Sequence, residues 1–243
     1  MNTKLSHART GSLLLIFVLL FTGCSAFGVI DPGDVENTTQ AVDAGAATSV
    51  KVKVAMDLGE LNIAGGAAKL MEGNFKFNFT DLQPDIQYVE DGKVGSLVID
   101  QPNKQAATSY RDAQIRWALN LNNNLPIDLE VSTGAAVAVI DLKGIDLMGL
   151  KLDIGVGSGN VDLSSGWSHD VTANLKGGIS EIAVTLPQAM GTRVVIQKGL
   201  GKISASGLNR DGNVYVNDAY GKTAQTLNLN IEPGIGEVVL KVK

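Results

Sequence analysis

The stretch "LPIDLEVSTGAAVAVIDLKG", residues 125–144, decides the fold, because polar and apolar residues alternate around Gly134 and the same layout returns four more times. The copies are "LKLDIGVGSGNVDLSSG" (150–166), "VTANLKGGISEIAVTLPQ" (171–188), "TRVVIQKGLGKISASG" (192–207) and "TLNLNIEPGIGEVVLKV" (226–242). Aligned on glycine, they place Gly134, Gly155, Gly177, Gly199 and Gly234 at intervals of 21, 22, 22 and 35 residues. Period-two alternation is the pattern of a strand with one buried face. A fixed interval of this length marks a solenoid or array.

Within the second unit, Leu150, Leu152 and Ile154 fall on one face and are joined after the glycine by Val161 and Leu163. Lys151, Asp153, Asn160 and Asp162 fall on the other. One unit cannot bury its apolar face alone, so the units must stack, with backbones about 4.8 Å apart and a shared aliphatic interior. The five aligned glycines are then structural corners, where a bend leaves little room for a side chain between stacked backbones. The expected fold is all-β: a stacked β-solenoid or β-helix-like domain of about 21–22-residue coils. The last interval holds 13 residues more than its predecessor, in "LNRDGNVYVNDAYGKTAQ". This excursion carries Tyr215 and Tyr220 and reads either as a binding loop or, preferably, as an extra hairpin covering the end of the solenoid.

Upstream, "SVKVKVAMDLGELNIAGG", "GNFKFNFT", "DIQYVED", "KVGSLVIDQ" and "QIRWALNLN" read as a first group of strands separated by Gly, Asp and Pro. The short "AAKLMEG" stretch is the longest with any helical amphipathicity. The expected organisation is a signal peptide over 1–23, a lipidated cysteine and flexible tether over 24–48, an N-terminal β region over 49–122 and the repetitive solenoid over 123–243. The tether follows from "SAFGVIDPGDVENTTQAVDAGAAT", which has no sustained apolar period.

The first 23 residues set basic Lys4 and Arg9 ahead of an uncharged apolar run from Leu13 to Phe21, and "TG" then leads into Cys24. This is the layout of a secretory signal. The run is too short for a transmembrane helix, which needs about 20 apolar residues. "LLFTGC" resembles the lipobox of bacterial lipoproteins, with Phe21 where Leu is usual. Cys24 is the only cysteine of the chain, which suits a thiol consumed by lipid rather than a disulfide. The expected partner is therefore a membrane, reached through lipid on Cys24 and not by a span, with the domain outside the cytoplasm on the cell membrane or the outer membrane.

Without residues 1–23 the formal charge moves from -5 to about -7, which argues against nucleic acid and against an anionic bilayer surface as partners. Disulfides being impossible, burial must carry the stability.

The runs "LGELNIAGGAAKLMEGNFKFNFTDLQPDIQYVEDGKVGSLVIDQ", "RWALNLNNNLPIDLEVSTGAA" and "LKLDIGVGSGNVDL" resemble the toast-rack domain family of bacterial envelope proteins, over about residues 50–243. The resemblance implies a stacked β fold in extracytoplasmic proteins, some tied to cell-wall-antibiotic response and some adhesin-like. It supplies no active site to carry over.

Several motifs invite chemistry and fall short of it. Gly155, Gly157 and Gly159 lack the last glycine and the following helix of a dinucleotide loop. "GSGNVDL" echoes a calcium-binding β-roll repeat without its nine-residue tandem copies. Asp141 and Asp162 each lie seven residues after a corner and would bring two carboxylates to adjacent coils, with Val184 and Ser206 at the matching places beyond. A solvated face explains them better than a polysaccharide-cleaving pair. His169, beside Trp167 in "GWSHD", has no Cys or second His near it in the sequence to make a metal site or a triad; the pair reads as a loop capping a coil edge, with glycan stacking on Trp167 as the alternative. No cofactor or metal is expected. The reading is a non-catalytic, membrane-anchored scaffold or binding module of the cell envelope whose partner is an envelope protein or glycan. The alternatives are an envelope-stress modulator and a solenoid-type polysaccharide hydrolase or lyase.

Overall fold

A computed structural model describes residues 31–102 and 110–243. Fourteen strands join in one sheet system: β1 (Glu36–Val42), β2 (Ser49–Ala67), β3 (Met71–Phe77), β4 (Asp85–Asp91), β5 (Val94–Asp100), β6 (Arg116–Asn122), β7 (Ile127–Asp141), β8 (Leu147–Asp162), β9 (Val171–Leu186), β10 (Gly191–Ile196), β11 (Leu200–Ser206), β12 (Asn209–Asp211), β13 (Val214–Val216) and β14 (Thr226–Val242). Cys24 and the proposed signal peptide lie outside the described residues.

Five strands of 15 to 19 residues, β2, β7, β8, β9 and β14, form the body. Each bends in its middle so that its second half folds back over its first. In β8, a Cβ placed on Gly159 would run into Ile154 and approach Leu152 Cδ2 at 3.8 Å, which shows the two halves facing one another. First halves make one layer and second halves another, with a single aliphatic cluster between them. All pairings among these coils are parallel. Leu150, Leu152, Ile154, Val161 and Leu163 are buried as the alternation requires.

The coil order departs from the sequence order. The fifth unit, β14, pairs with β9 on one side, and on the other with β10 through its first half and β11 through its second. The fourth unit is therefore the terminal coil, split into β10 and β11. At the opposite end the terminal coil is likewise split, into β5 and β6, both parallel to β2. Short antiparallel strands border the ends: β4 on β5, β3 then β1 on β6, and β13 then β12 on β10. The long final interval of the sequence holds the β12–β13 hairpin and the return of the chain to the start of β14.

Residues 36–42, assigned above to the tether, form β1 and pair antiparallel with β3 from Glu36↔Phe77 to Val42↔Met71. Burial did not betray this strand, because as an outer strand it is largely exposed and lacks an apolar face. The "MEG" of the would-be helical stretch begins β3, whose Met71, Phe75 and Phe77 are buried. The division at 122/123 falls inside a continuous sheet, since β2 pairs with β6 on one side and β7 on the other.

Candidate functional site

The corners generate the surface feature that stands out. Registers of the ladders align Asp57, Gly134, Gly155, Gly178 and Gly234 in one column, with Gly199 beside Gly234. A Cβ on Gly155 would come to 2.6 Å from the carbonyl oxygen of Gly134, and one on Gly178 would strike the oxygen of Gly155. At the five glycines no side chain fits where one backbone crosses the next. Gly177, aligned above as a corner, instead pairs with Ile154 and Pro233; the corner belongs to Gly178, one residue on. Two adjacent glycines made that register ambiguous in the sequence.

One step past this column lies a row of aliphatic side chains, joined through consecutive registers as Leu58, Ala135, Val156, Ile179, Ile235 and Leu200. Its neighbours on the far side are Gly59, Ala136, Gly157, Ser180, Gly236 and Gly201, again all small. Four of these are glycines with φ between +131° and +151°, a backbone that L side chains avoid. From β7 to β11 the row therefore stands on a ridge between two columns of small residues. Val156, Ile179, Ile235 and Leu200 are 52, 59, 51 and 70 % exposed. Six strands at about 4.8 Å give it a length of roughly 24 Å. At the β2 end it opens into a groove of about 540 Å³ bordered by Leu58, Ile115, Val137 and the Glu60–Arg116 ion pair.

The surrounding outer face is solvated and charge-balanced. Glu130 lies 3.9 Å from Lys53 and 3.3 Å from Lys151, across neighbouring coils. Asp141 and Asp162 are register partners, as their spacing suggested. Lys143 bridges them at 3.0 and 3.4 Å, which the sequence reading missed because it sought a basic residue only at the matching place in other coils. Partial burial would raise the Asp162 carboxyl, but hydrogen bonds from Ser164 and the Lys143 ammonium outweigh it and hold that carboxyl below its ordinary value. Hydrogen bonds to Asp141 and Asp162 raise Lys143. The cluster is a clamped ion pair at a coil edge.

Trp167 donates its Nε1 hydrogen to the carbonyl of Ile145 at 2.8 Å, and His169 Nε2 lies 2.9 Å from the carbonyl oxygen of Leu147. The loop is thereby tied to the strand start below it. Tyr215, on the excursion read above as a binding loop or, preferably, a covering hairpin, lies in the β12–β13 hairpin, is 4 % exposed and belongs to the core, with Arg210 over its ring at 5.3 Å. It lies on β13, whose pairing to β10 buries alternate residues. Tyr220 is exposed, beside the turn closed by Tyr220 N–H to Asn217 O. Gly155, Gly157 and Gly159 all lie within β8.

Two buried amides finish the ends of the stack and went unnoticed in the sequence. Gln101 Oε1 accepts from the backbone of Asp57 and Leu58 at 2.8 and 2.9 Å. It thus supplies the corner partner that the split β5/β6 coil lacks. Asn217 accepts from Thr192 N–H and donates to the carbonyls of Pro187 and Met190. An isolated Gln or Asn in a polar loop carries no periodic signal.

A family model described as the N-terminal domain of toast_rack, DUF2154, matches residues 31–185. The chain belongs to the toast-rack family. The toast-rack chain is similar over 86 % of its length to the whole of a candidate cell adhesion protein from Clostridium sporogenes, at 32 % identity and a TM-score of 0.81. A candidate adhesin from Bacteroides fragilis aligns over 87 % of this chain and 99 % of its own, at 13 % identity and a TM-score of 0.23. No curated protein matches.

Proposed function

We propose that this toast-rack chain is a non-catalytic, lipid-anchored binding module of the cell envelope that docks a protein partner on the row Val156–Ile179–Ile235–Leu200. The exposed aliphatic row carries this reading. Soluble domains seldom leave contiguous apolar surface without a partner for it, and here the fold's own small-residue columns hold it proud of the backbone. The row contains no aromatic ring on which a sugar would stack, so a protein surface fits better than a glycan. The 32 % identical Clostridium sporogenes structure, described as a candidate cell adhesion protein, supports a binding role. Lipid on Cys24 would hold the ridge outside the cytoplasm. A polysaccharide-cleaving reading is disfavoured by Asp162, whose lowered carboxyl is the opposite of what a general acid at neutral pH requires.

A photo-crosslinking residue placed at Ile179 or Ile235 in cells tests the docking face, with Lys151 and Glu181 as controls on the solvated coil surface. Protein adducts at 179 and 235 that are absent at the controls, and lost on Val156→Asp, are expected. Adducts spread evenly over all four sites, or lipid adducts at 179, would refute it. Cys24→Ser should release the chain from the membrane fraction.

A further inference from the structure

We infer that the two ends of the stack are built to receive each other, so that copies of this chain join head to tail along the coil axis, with β11 of one copy pairing with β1 of the next. Three independent features of the ends support the inference.

The first is the shape of the ends. Past the terminal β10/β11 coil, the first layer continues by two strands, β13 and β12, whereas the second layer stops at β11, which among the described residues pairs only with β14. Past the β5/β6 coil the imbalance is reversed: the second layer continues by β3 and β1, and the first by β4 alone. Set end to end, β13 and β12 meet β4 in one layer while β1 and β3 fill the step beside β11 in the other. The layers then match to within one strand, and the surplus strand is the three-residue β12. A two-fold pairing of β11 with another β11 would instead drive the two β12–β13 overhangs into each other.

Strand direction is the second. β1 is antiparallel to β3, β3 to β6, and β6 is parallel to β2 and, through the coils, to β11. A copy displaced along the axis thus offers β1 in the parallel sense that the stack already uses. Both strands have seven residues, and the exposed Val35 and Leu200 stand at their corresponding ends. The edge of β11 carries a single charge, Lys202, held 3.1 Å from Glu237, and Ile203, next to Lys202, is 41 % exposed.

Charge is the third. The segments that build the β1–β4 end, residues 31–45 and 68–93, hold nine Asp or Glu against three Lys. Residues 187–225, which build the β10–β13 end, hold five Lys or Arg against two Asp. Opposite ends attract and like ends repel, which favours a head-to-tail contact over an isologous one. A heterologous contact of this kind does not close, so the product is a linear array in which the aliphatic ridges of successive copies share a line.

The test uses the full chain with Cys24→Ser, so that each further variant holds a single thiol. Thr38→Cys in β1 and Ile203→Cys in β11, whose ladder neighbours Phe75 and Val238 are both buried so that the two side chains share the inward face, are oxidised separately and as a mixture. The mixture should give disulfide-linked heterodimers many-fold faster than either variant alone, and faster than Val89→Cys mixed with Ile203→Cys. Raised salt should slow the reaction, as should Asp85→Lys combined with Asp91→Lys. Sedimentation of the parent chain at low salt should show species growing beyond the dimer with concentration. Ile203→Cys dimerising alone as fast as in the mixture, a mixture no faster than the Val89 control, or a monomer at every concentration would each overturn the inference. Ile179→Asp, which removes the ridge proposed for partner docking, should leave this association intact, so the two readings fail separately.

Discussion

Gly155→Ala isolates the cost of closing the stack. Gly155 lies in the corner column without a positive φ, so the substitution adds one methyl and demands no unusual backbone. That methyl would come to 2.6 Å from Gly134 O and 3.1 Å from Thr133 O, where non-bonded atoms prefer about 3.5 Å. Both obstacles are backbone of β7 and cannot rotate away. β7 and β8 must part locally by more than half an ångström or so, at an overpacking cost of about 1–3 kcal/mol. Weakening one ladder hydrogen bond adds about 1 kcal/mol. The lower chain entropy of unfolded alanine returns about 0.4–1 kcal/mol, leaving a net loss of roughly 1–3.5 kcal/mol. Gly212→Ala is the companion: φ is +58° and nothing lies within 4 Å of the new methyl, so it should cost about 1 kcal/mol from backbone strain alone. Urea unfolding followed by the fluorescence of buried Trp117 measures both, with the slope checked for change. If Gly155→Ala unfolds at the same urea concentration as the parent, or costs no more than Gly212→Ala, the corners are not in the close contact described.

Gln101→Ala should lose about 2–3 kcal/mol by stranding the Asp57 and Leu58 N–H groups, and faster amide exchange at those two positions would identify the cause. The Asp162 carboxyl is lowered on folding, so its stabilisation is present above its unfolded value and is lost as pH falls through the folded one. Asp162→Asn should accordingly cost under about 1 kcal/mol at neutral pH, and a gap from the parent that persisted in strong acid would contradict this. Burial and the hydrogen bond to Asp81 push the Tyr110 phenol up to about 12. Its contribution is present below pH 10 and lost as pH rises through 12, and ultraviolet titration should show a late phase that Tyr110→Phe removes.

The repeat could be read from the sequence because stacking imposes one requirement on every coil: alternation into a shared interior and a small residue where backbones cross. Leu150, Leu152, Ile154, Val161 and Leu163 are buried for that reason. What escaped reading is what the repeat does not dictate. β1 is held by a ladder to β3 and not by burial, so its residues carry no apolar period. Insertion of β14 ahead of β10 and β11 is a matter of chain routing, invisible to an alignment that assumes neighbours in sequence are neighbours in space. The ridge was present as an aliphatic residue following each corner, at Val156, Leu200 and Ile235, but the choice of Gly177 over Gly178 put a glycine in place of Ile179 and broke the row. The burial of Tyr215 was not legible either, because a polar sequence context does not show which face of a short strand is covered.

The place of β14 constrains how the chain acquires its shape. Residues 226–242 fill the gap between β9 and the β10/β11 coil, so the strands made fourth in line have no parallel neighbour until β14 arrives. A ribosome or export channel delivering this polypeptide from its amino end cannot zip it shut progressively. Residues 226–242 act as a keystone, and removing all of them should leave β10 and β11 without a parallel neighbour while the β2–β9 portion keeps its ladder.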